Sequence, residues 1–284
     1  MAEIVSIFGM THHPFFFRLT DMPTNERPPF VPAWLQKGDG LRRILEEARP
    51  DALVVVGNDH FHQFFMDNMP QFLIGSMERF DGTFYNEERE FGIPTFTIPG
   101  EPVLARQILE GLLDRDVDLA FSNELKVDHS IVMPLRFVTP DMNVPIVPIL
   151  ANCQAPPIPR AERFYAIGGL LRDVIEQIPD HKRVGVVTSA HFSLELGGPK
   201  QFGPTTADPA FDEGAVRWLR EGDVSGAFAG CSFERLTAAG NVSHAFLTLV
   251  LAMGVARGSR PFYLETLPVL GTIEGFIAWQ PVAT

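Results

Sequence analysis

The sequence predicts an α/β fold, a single domain with a largely parallel or mixed central sheet flanked by helices. Three observations predict it. Short apolar runs rich in β-branched residues recur along the chain, as buried strands do. Between them lie stretches with apolar residues at three- and four-residue spacing, the pattern of helices with one buried face. No repeat, low-complexity tract or linker-like stretch divides the 284 residues, so one unit over 1–284 is expected.

The elements follow in order. Ile4 to Phe8 (IVSIF) and Ala52 to Val56 (ALVVV) read as buried strands, and Leu41 to Ala48 between them as an amphipathic helix. The stretch from Thr20 to Trp34 (TDMPTNERPPFVPAW) holds four prolines and no periodicity, so it reads as a long loop of the kind used for lids and binding. Pro102 to Leu113 has helical spacing. Val144 to Leu150 (VPIVPIL) reads as a strand whose prolines favour an edge position. Ala161 to Ile178 is the longest amphipathic pattern. Val184 to Thr188 (VGVVT) is a third buried strand, and Ala210 to Leu219 a further helix. His244 to Val255 is apolar nearly all round, which predicts a buried helix.

Bulk properties narrow the function. Hydrophobic residues make up 45% and charged residues 20%, enough apolar content for a sizeable core. The net charge of −12 argues against nucleic acid and anionic membranes as partners, because both need clustered Lys and Arg. An anionic small substrate stays possible, since a few local cations override a net field. The two cysteines, Cys153 and Cys231, form no CxxC pair and read as reduced thiols. There is no basic segment leading into an apolar stretch at the start, and no apolar run approaches the ~18 residues of a membrane span. A soluble, cytoplasmic protein is expected.

The histidines carry the chemistry. His12 and His13 follow the first strand, His60 the second (with His62 close behind), and His191 the third. In open α/β sheets, sites form beyond the carboxyl ends of the strands, so these side chains are expected to converge on one rim. Imidazole ligates Fe, Zn, Ni and Cu and serves as a general base near neutral pH. His129, in KVDHSIVMPL, is a fourth candidate. Asp128 and Asp59 stand beside histidines as either ring-orienting partners or turn residues. No GxGxxG, Walker, HExxH or GxSxG motif competes.

The order of these segments resembles the class III extradiol ring-cleaving dioxygenases, in particular catalytic β subunits of the protocatechuate-cleaving type. The resemblance rests on THHP (Thr11–Pro14), GNDH (Gly57–His60), VDHSIVMPL (Val127–Leu135), TSAHFSLELGGP (Thr188–Pro199), AGN (Ala239–Asn241) and the C-terminal PFYLETLPVLGTIEGFIAW. It implies an extradiol dioxygenase-like fold and an enzyme of aromatic catabolism that opens a catechol-type ring next to the diol with O2. It implies Fe(II) held by His12 and His60, His191 as the acid/base group, and His129 in contact with substrate hydroxyl or oxygen. It implies a small aromatic substrate and O2 as reactants, and a homodimer or a small helical partner subunit.

One departure matters. The family completes its two-histidine site with a Glu near the start of the late helix. Aligned on Gly240, that position falls at Ala245, and no carboxylate lies between Gly240 and Val255. Three readings follow. His244 supplies a third metal ligand, although adjacent helical positions differ by ~100° in direction. Alternatively, the coordination position stays open. Or the chain has left oxygen chemistry, as a metal-assisted hydrolase or lyase with His191 as base, or as a non-catalytic subunit. Without the carboxylate, Fe(II) retention is expected to weaken and zinc or another divalent metal becomes an alternative. Arg27, in the proline-rich loop, and Phe15, Phe16 and Phe17 nearby are candidates to line an aromatic-acid pocket, Arg27 pairing a carboxylate.

Overall fold

In a computed structural model, residues 1–281 are described. The first half of the chain forms β1 (Glu3–Thr11), α1 (Phe16–Asp21), α2 (Val31–Ala48), β2 (Ala52–Gly57), β3 (Phe72–Gly75), β4 (Arg79–Gly82), α3 (Tyr85–Phe91), β5 (Phe96–Pro99), α4 (Pro102–Leu113) and β6 (Ala120–Ser122). The second half forms α5 (His129–Val138), β7 (Ile146–Ala151), α6 (Ala161–Gln177), β8 (Arg183–Ala190), α7 (Pro209–Glu221), α8 (Val224–Gly230), α9 (Phe233–Ala239), α10 (Leu247–Val255), β9 (Tyr263–Val269) and β10 (Thr272–Trp279).

Eight strands form one mixed sheet in the order β6-β3-β7-β2-β8-β1-β10-β9, and β4 pairs with β5 apart from it. The middle four strands, β7, β2, β8 and β1, are mutually parallel. Along β2 the side chains alternate, as the two-residue period of a strand requires. Ala52, Val54 and Val56 enter a core with α4, α6 and α10, while Leu53 and Val55 enter a second core with α2 and α5. Each fully buried valine contributes about 1.5–3 kcal/mol. The strands are apolar on both faces because helices cover both faces. The expected α/β architecture with a largely parallel or mixed sheet is therefore what the chain adopts.

The three strands read as buried are β1, β2 and β8, each extended by one to three residues at an end. Two readings differ. The Val144–Leu150 strand is not at an edge: β7 lies between β3 and β2. Its antiparallel ladder with β3 covers only Ile149 to Ala151, so Pro148 stands just outside that ladder and its missing N–H costs no bond there. The proline-rich stretch from Thr20 to Trp34 is only partly loop. Its first residues end α1, Thr24–Glu26 form a 3-10 turn, and α2 begins at Val31. Pro32 sits in the first turn of α2, where a helix needs no donor. Val31, Trp34, Gly38, Leu41 and Leu45 then form its buried stripe. Helix α10 is buried on every side, as its composition predicts, after a 3-10 turn at Ser243–Phe246. No single helix among the described residues is long and apolar enough to cross a membrane.

Candidate metal centre

Three adjacent parallel strands end on the same rim. In the register of the sheet Thr11 of β1 stands opposite Ala190 of β8, and Val56 of β2 opposite Thr188 of β8. The next residues are His12 and His191, and His60 comes three residues after Gly57. Neighbouring parallel strands lie ~4.8 Å apart, and the rings of His12 and His191 accordingly stand 4.0 Å apart. His60 lies 5.3 Å from His12. His129 enters from the N-terminus of α5 and stacks on His60 at 4.0 Å. The expected convergence of His12, His60, His129 and His191 is thus present.

Local structure fixes these positions. Ser130, the second residue of α5, ties the helix to the end of β2. Its hydroxyl donates to Asn58 O at 2.6 Å and accepts from Asn58 N–H at 3.1 Å. That approach requires Gly57, where a Cβ would come within 2.5 Å of Ser130 Oγ. Asp128 is the N-cap of α5, accepting from Ser130 N–H at 2.8 Å. Its other oxygen accepts from His60 N–H at 2.9 Å and lies 2.8 Å from His60 Nδ1. Asp128 is therefore a ring-orienting residue as well as a cap. Asp59 is a turn residue, accepting the backbone N–H groups of His62, Gln63 and Phe64.

The rings of His12, His60 and His129 each have one nitrogen engaged from behind. His129 Nδ1 lies 2.5 Å from Glu87 Oε1, and the same oxygen accepts His129 N–H at 2.8 Å. His12 Nδ1 lies 2.8 Å from Ser189 Oγ. With a carboxylate oxygen at Nδ1, as in His60 and His129, that nitrogen carries the proton and Nε2 keeps its lone pair. His60 Nε2 accordingly accepts from the Asn58 amide at 3.1 Å. His12 Nε2 is buried and has no hydrogen-bond partner among the described residues. Donor atoms of His12, His60 and His129 all lie within 4.8 Å of one another. An orphaned, buried imidazole nitrogen facing two others suits a divalent metal.

The charge balance agrees. Burial, followed by the neighbouring imidazoles, holds His12 and His191 well below the ordinary histidine range. His13 is pushed down to about 4 by burial and by His129. Burial also lowers His129, against the pull of Glu87. Glu87 is fully buried. Burial pushes it up, but hydrogen bonds from His129 and His62 outweigh that and bring it to about 2. Burial likewise opposes Asp128, and His60 beside it holds the carboxyl below its usual range. The site thus pairs mostly neutral imidazoles with ionised carboxylates behind them.

A cavity of about 280 Å³ opens onto this rim, walled by His60, His129 and His191 together with His13, Phe15 and Phe91. His62, given no role in the sequence, is a further wall, with its ring 4.3 Å from Phe84 and Nε2 3.6 Å from Glu87. Glu87 and Ser189 were also missed as ring partners. Glu87 lies in an ordinary-looking acidic helix, 42 residues from the histidine it holds, and no local spacing announces it. Ser189 sits two residues before His191 yet serves His12, a pairing set by strand register.

His244 does not join the cluster. Its ring lies against Phe233 at 5.0 Å, with Nε2 3.4 Å from Thr237 Oγ1, and it is absent from every group of converging donor atoms among the described residues. The cause is the turn after Gly240. Gly240 adopts φ +146 and lies so close to Leu194 O that a Cβ would come within 2.1 Å. The segment then presents Val242 to the cavity, while Ala245 is buried. Arg27 is likewise used elsewhere, donating to Met22 O and Thr20 O within its own loop. Of the three aromatic candidates, Phe15 lines the cavity while Phe16 and Phe17 are buried.

A rim of oriented, largely neutral histidines beside a small cavity, on a mixed α/β sheet, is an arrangement that suits a divalent metal. The comparisons give the family. Residues 6–274 match the family described as the catalytic LigB subunit of aromatic ring-opening dioxygenase, and the chain belongs to that family. A protein of Burkholderia vietnamiensis named 2,3-dihydroxyphenylpropionate/2,3-dihydroxicinnamic acid 1,2-dioxygenase is 26% identical over 263 residues, covering 78% of this chain and 80% of its own. A protein of that name in Rhodococcus globerulus is 28% identical over 57% of this chain. One in Pseudomonas putida is 32% identical over 45% of it. These last two matches span only 48% and 38% of the relatives' own lengths. A crystal structure of an uncharacterized protein from Escherichia coli K12 shares the fold, with a TM-score of 0.60 at 17% identity over 96% of this chain and 99% of its own.

Proposed function

We propose that this protein is a metal-dependent extradiol dioxygenase, opening a catechol-type ring next to its diol with O2. The observation that supports it best is the buried, unpartnered Nε2 of His12, facing His60 and His129 whose opposite nitrogens are held by Asp128 and Glu87. In this reading His12, His60 and His129 hold the metal, Fe(II) or another divalent ion. When bound, the metal supplies a Lewis acid that orients diol and oxygen together.

The chain's own residues do the rest. His191 walls the cavity, its Nδ1 is buried without a partner among the described residues, and its ring abuts His12. It takes the proton of a catechol hydroxyl, which at neutral pH is otherwise mostly retained, and returns it later. Phe15 and Phe91, whose rings lie 5.0 Å apart, form the apolar wall against which an aromatic ring packs and which excludes water.

Oxygen uptake by protein reconstituted anaerobically with ferrous ion tests this. Simple catechols should drive uptake with the appearance of a coloured ring-opened product. His12→Ala should abolish uptake together with metal retention. His191→Ala should keep the metal and lose at least about 100-fold in kcat, the usual weight of a general base. Absence of uptake with every catechol tried, in protein shown to carry the metal, would overturn the proposal.

A further inference from the structure

The walls of the cavity carry information about the substrate beyond its diol. Away from the histidines they are mainly apolar, with Phe15, Phe91, Leu194, Leu196 and Val242, interrupted by the amides of Asn86 and Gln201 and by Glu90. No lysine or arginine lines the cavity among the described residues. The acidic group at the mouth, Glu90, is already paired with Arg89 at 2.5 Å, and both are largely exposed. Behind the histidines stand the buried carboxylates Glu87, Asp128 and Asp59. The volume, about 280 Å³, lies just below the range of pockets for drug-sized ligands and suits one ring with a short substituent.

We propose that this cavity accepts catechols whose ring substituent is uncharged and apolar, and rejects those whose substituent is a carboxylate. The inference rests on the reading of the site as a catechol site. A carboxylate entering this space would shed water and find no lysine or arginine among the described lining residues. An alkyl or ester group would pack on Phe15, Phe91, Leu194, Leu196 and Val242. Discrimination comes as much from the missing cation as from contacts to the favoured ligand.

The clean comparison is between one catechol acid and its own methyl ester, for example 3-(3,4-dihydroxyphenyl)propionate. Both are titrated anaerobically into the ferrous-loaded full chain, so that binding is read without turnover. The ester should bind on the order of 10- to 100-fold more tightly than the acid. Equal or tighter binding of the acid overturns the proposal, and so does binding of neither. Leu196 is 39% exposed at the rim, and its backbone N–H and carbonyl, not its side chain, are held by Asn241. Leu196→Arg should therefore leave the fold intact and close or reverse the gap, whereas Leu196→Gln should not. A gap unchanged by the arginine also overturns the inference. Oxygen uptake is then measured separately. Discrimination in binding without uptake removes the dioxygenase reading and leaves the cavity's preference standing.

Discussion

A histidine ring is oriented when one of its nitrogens is held, and here the partners that hold those nitrogens are what the sequence hid. His12, His60 and His191 were legible because each directly follows, or nearly follows, an apolar strand, and strand ends fix where side chains go. Glu87 was not, because its place beside His129 depends on how α3 packs against α5. Glu274 shows the same limit more sharply. It lies fully buried on β10, accepting from Thr11 Oγ1 at 2.7 Å and Trp34 Nε1 at 3.4 Å, its other oxygen without a partner among the described residues. Burial pushes it up to about 7, against those two hydrogen bonds. In the unfolded chain it ionises near 4.5, while in the fold it keeps its proton to about 7. The folded state therefore binds more protons in that window, and stability falls as pH rises through it, by on the order of 3 kcal/mol. Glu274→Gln keeps an oxygen for Thr11 and Trp34 and removes the charge. Its melting temperature should match wild type near pH 4.5 and exceed it at pH 8. A difference that does not change with pH would refute the assignment.

At the scale of elements, patterning found the central strands and helices α4 and α6, but missed β3 to β6 and the first half of α2. Pro102 to Leu113 coincides with α4, and Ala161 to Ile178 with α6 to within a residue. The failures have physical causes. Proline was weighed as a strand breaker without knowing where the neighbouring ladder stops, which misplaced β7. Helical phase was assumed to run continuously through residues 244–255. The 3-10 turn at Ser243–Phe246 breaks it and turns His244 toward α9. In the proposed centre the third imidazole is His129 of α5, a helix capped by Asp128, with its ring held by Glu87 of α3. Metal analysis after dialysis should separate the two. His129→Ala should lose metal and His244→Ala should retain it. Glu87→Gln should bind metal roughly 10- to 100-fold more weakly, as loss of a ligand's orienting partner does. Retention by His129→Ala together with loss by His244→Ala would restore the sequence reading.

At the scale of the whole molecule, the site belongs to the sheet rather than to any one element. Its groups come from the ends of β1, β2 and β8 and from α3 and α5, so they meet only in the folded chain. A metal that binds them binds the native state, and its binding energy is added to the stability of the entire domain. At a free metal concentration 100 times Kd that addition is about 2.7 kcal/mol. With an unfolding entropy of about 2.1 cal/mol/K per residue, a chain of 284 residues should melt roughly 4 to 5 °C higher. Each further tenfold in metal should add roughly 2 °C. The double variant His12→Ala, His60→Ala should show a melting temperature indifferent to metal, since what remains is one oriented imidazole and its neighbours. The same upward shift in that variant would mean that the metal stabilises the chain from somewhere else, and the rim of the sheet would lose its claim to be the metal centre.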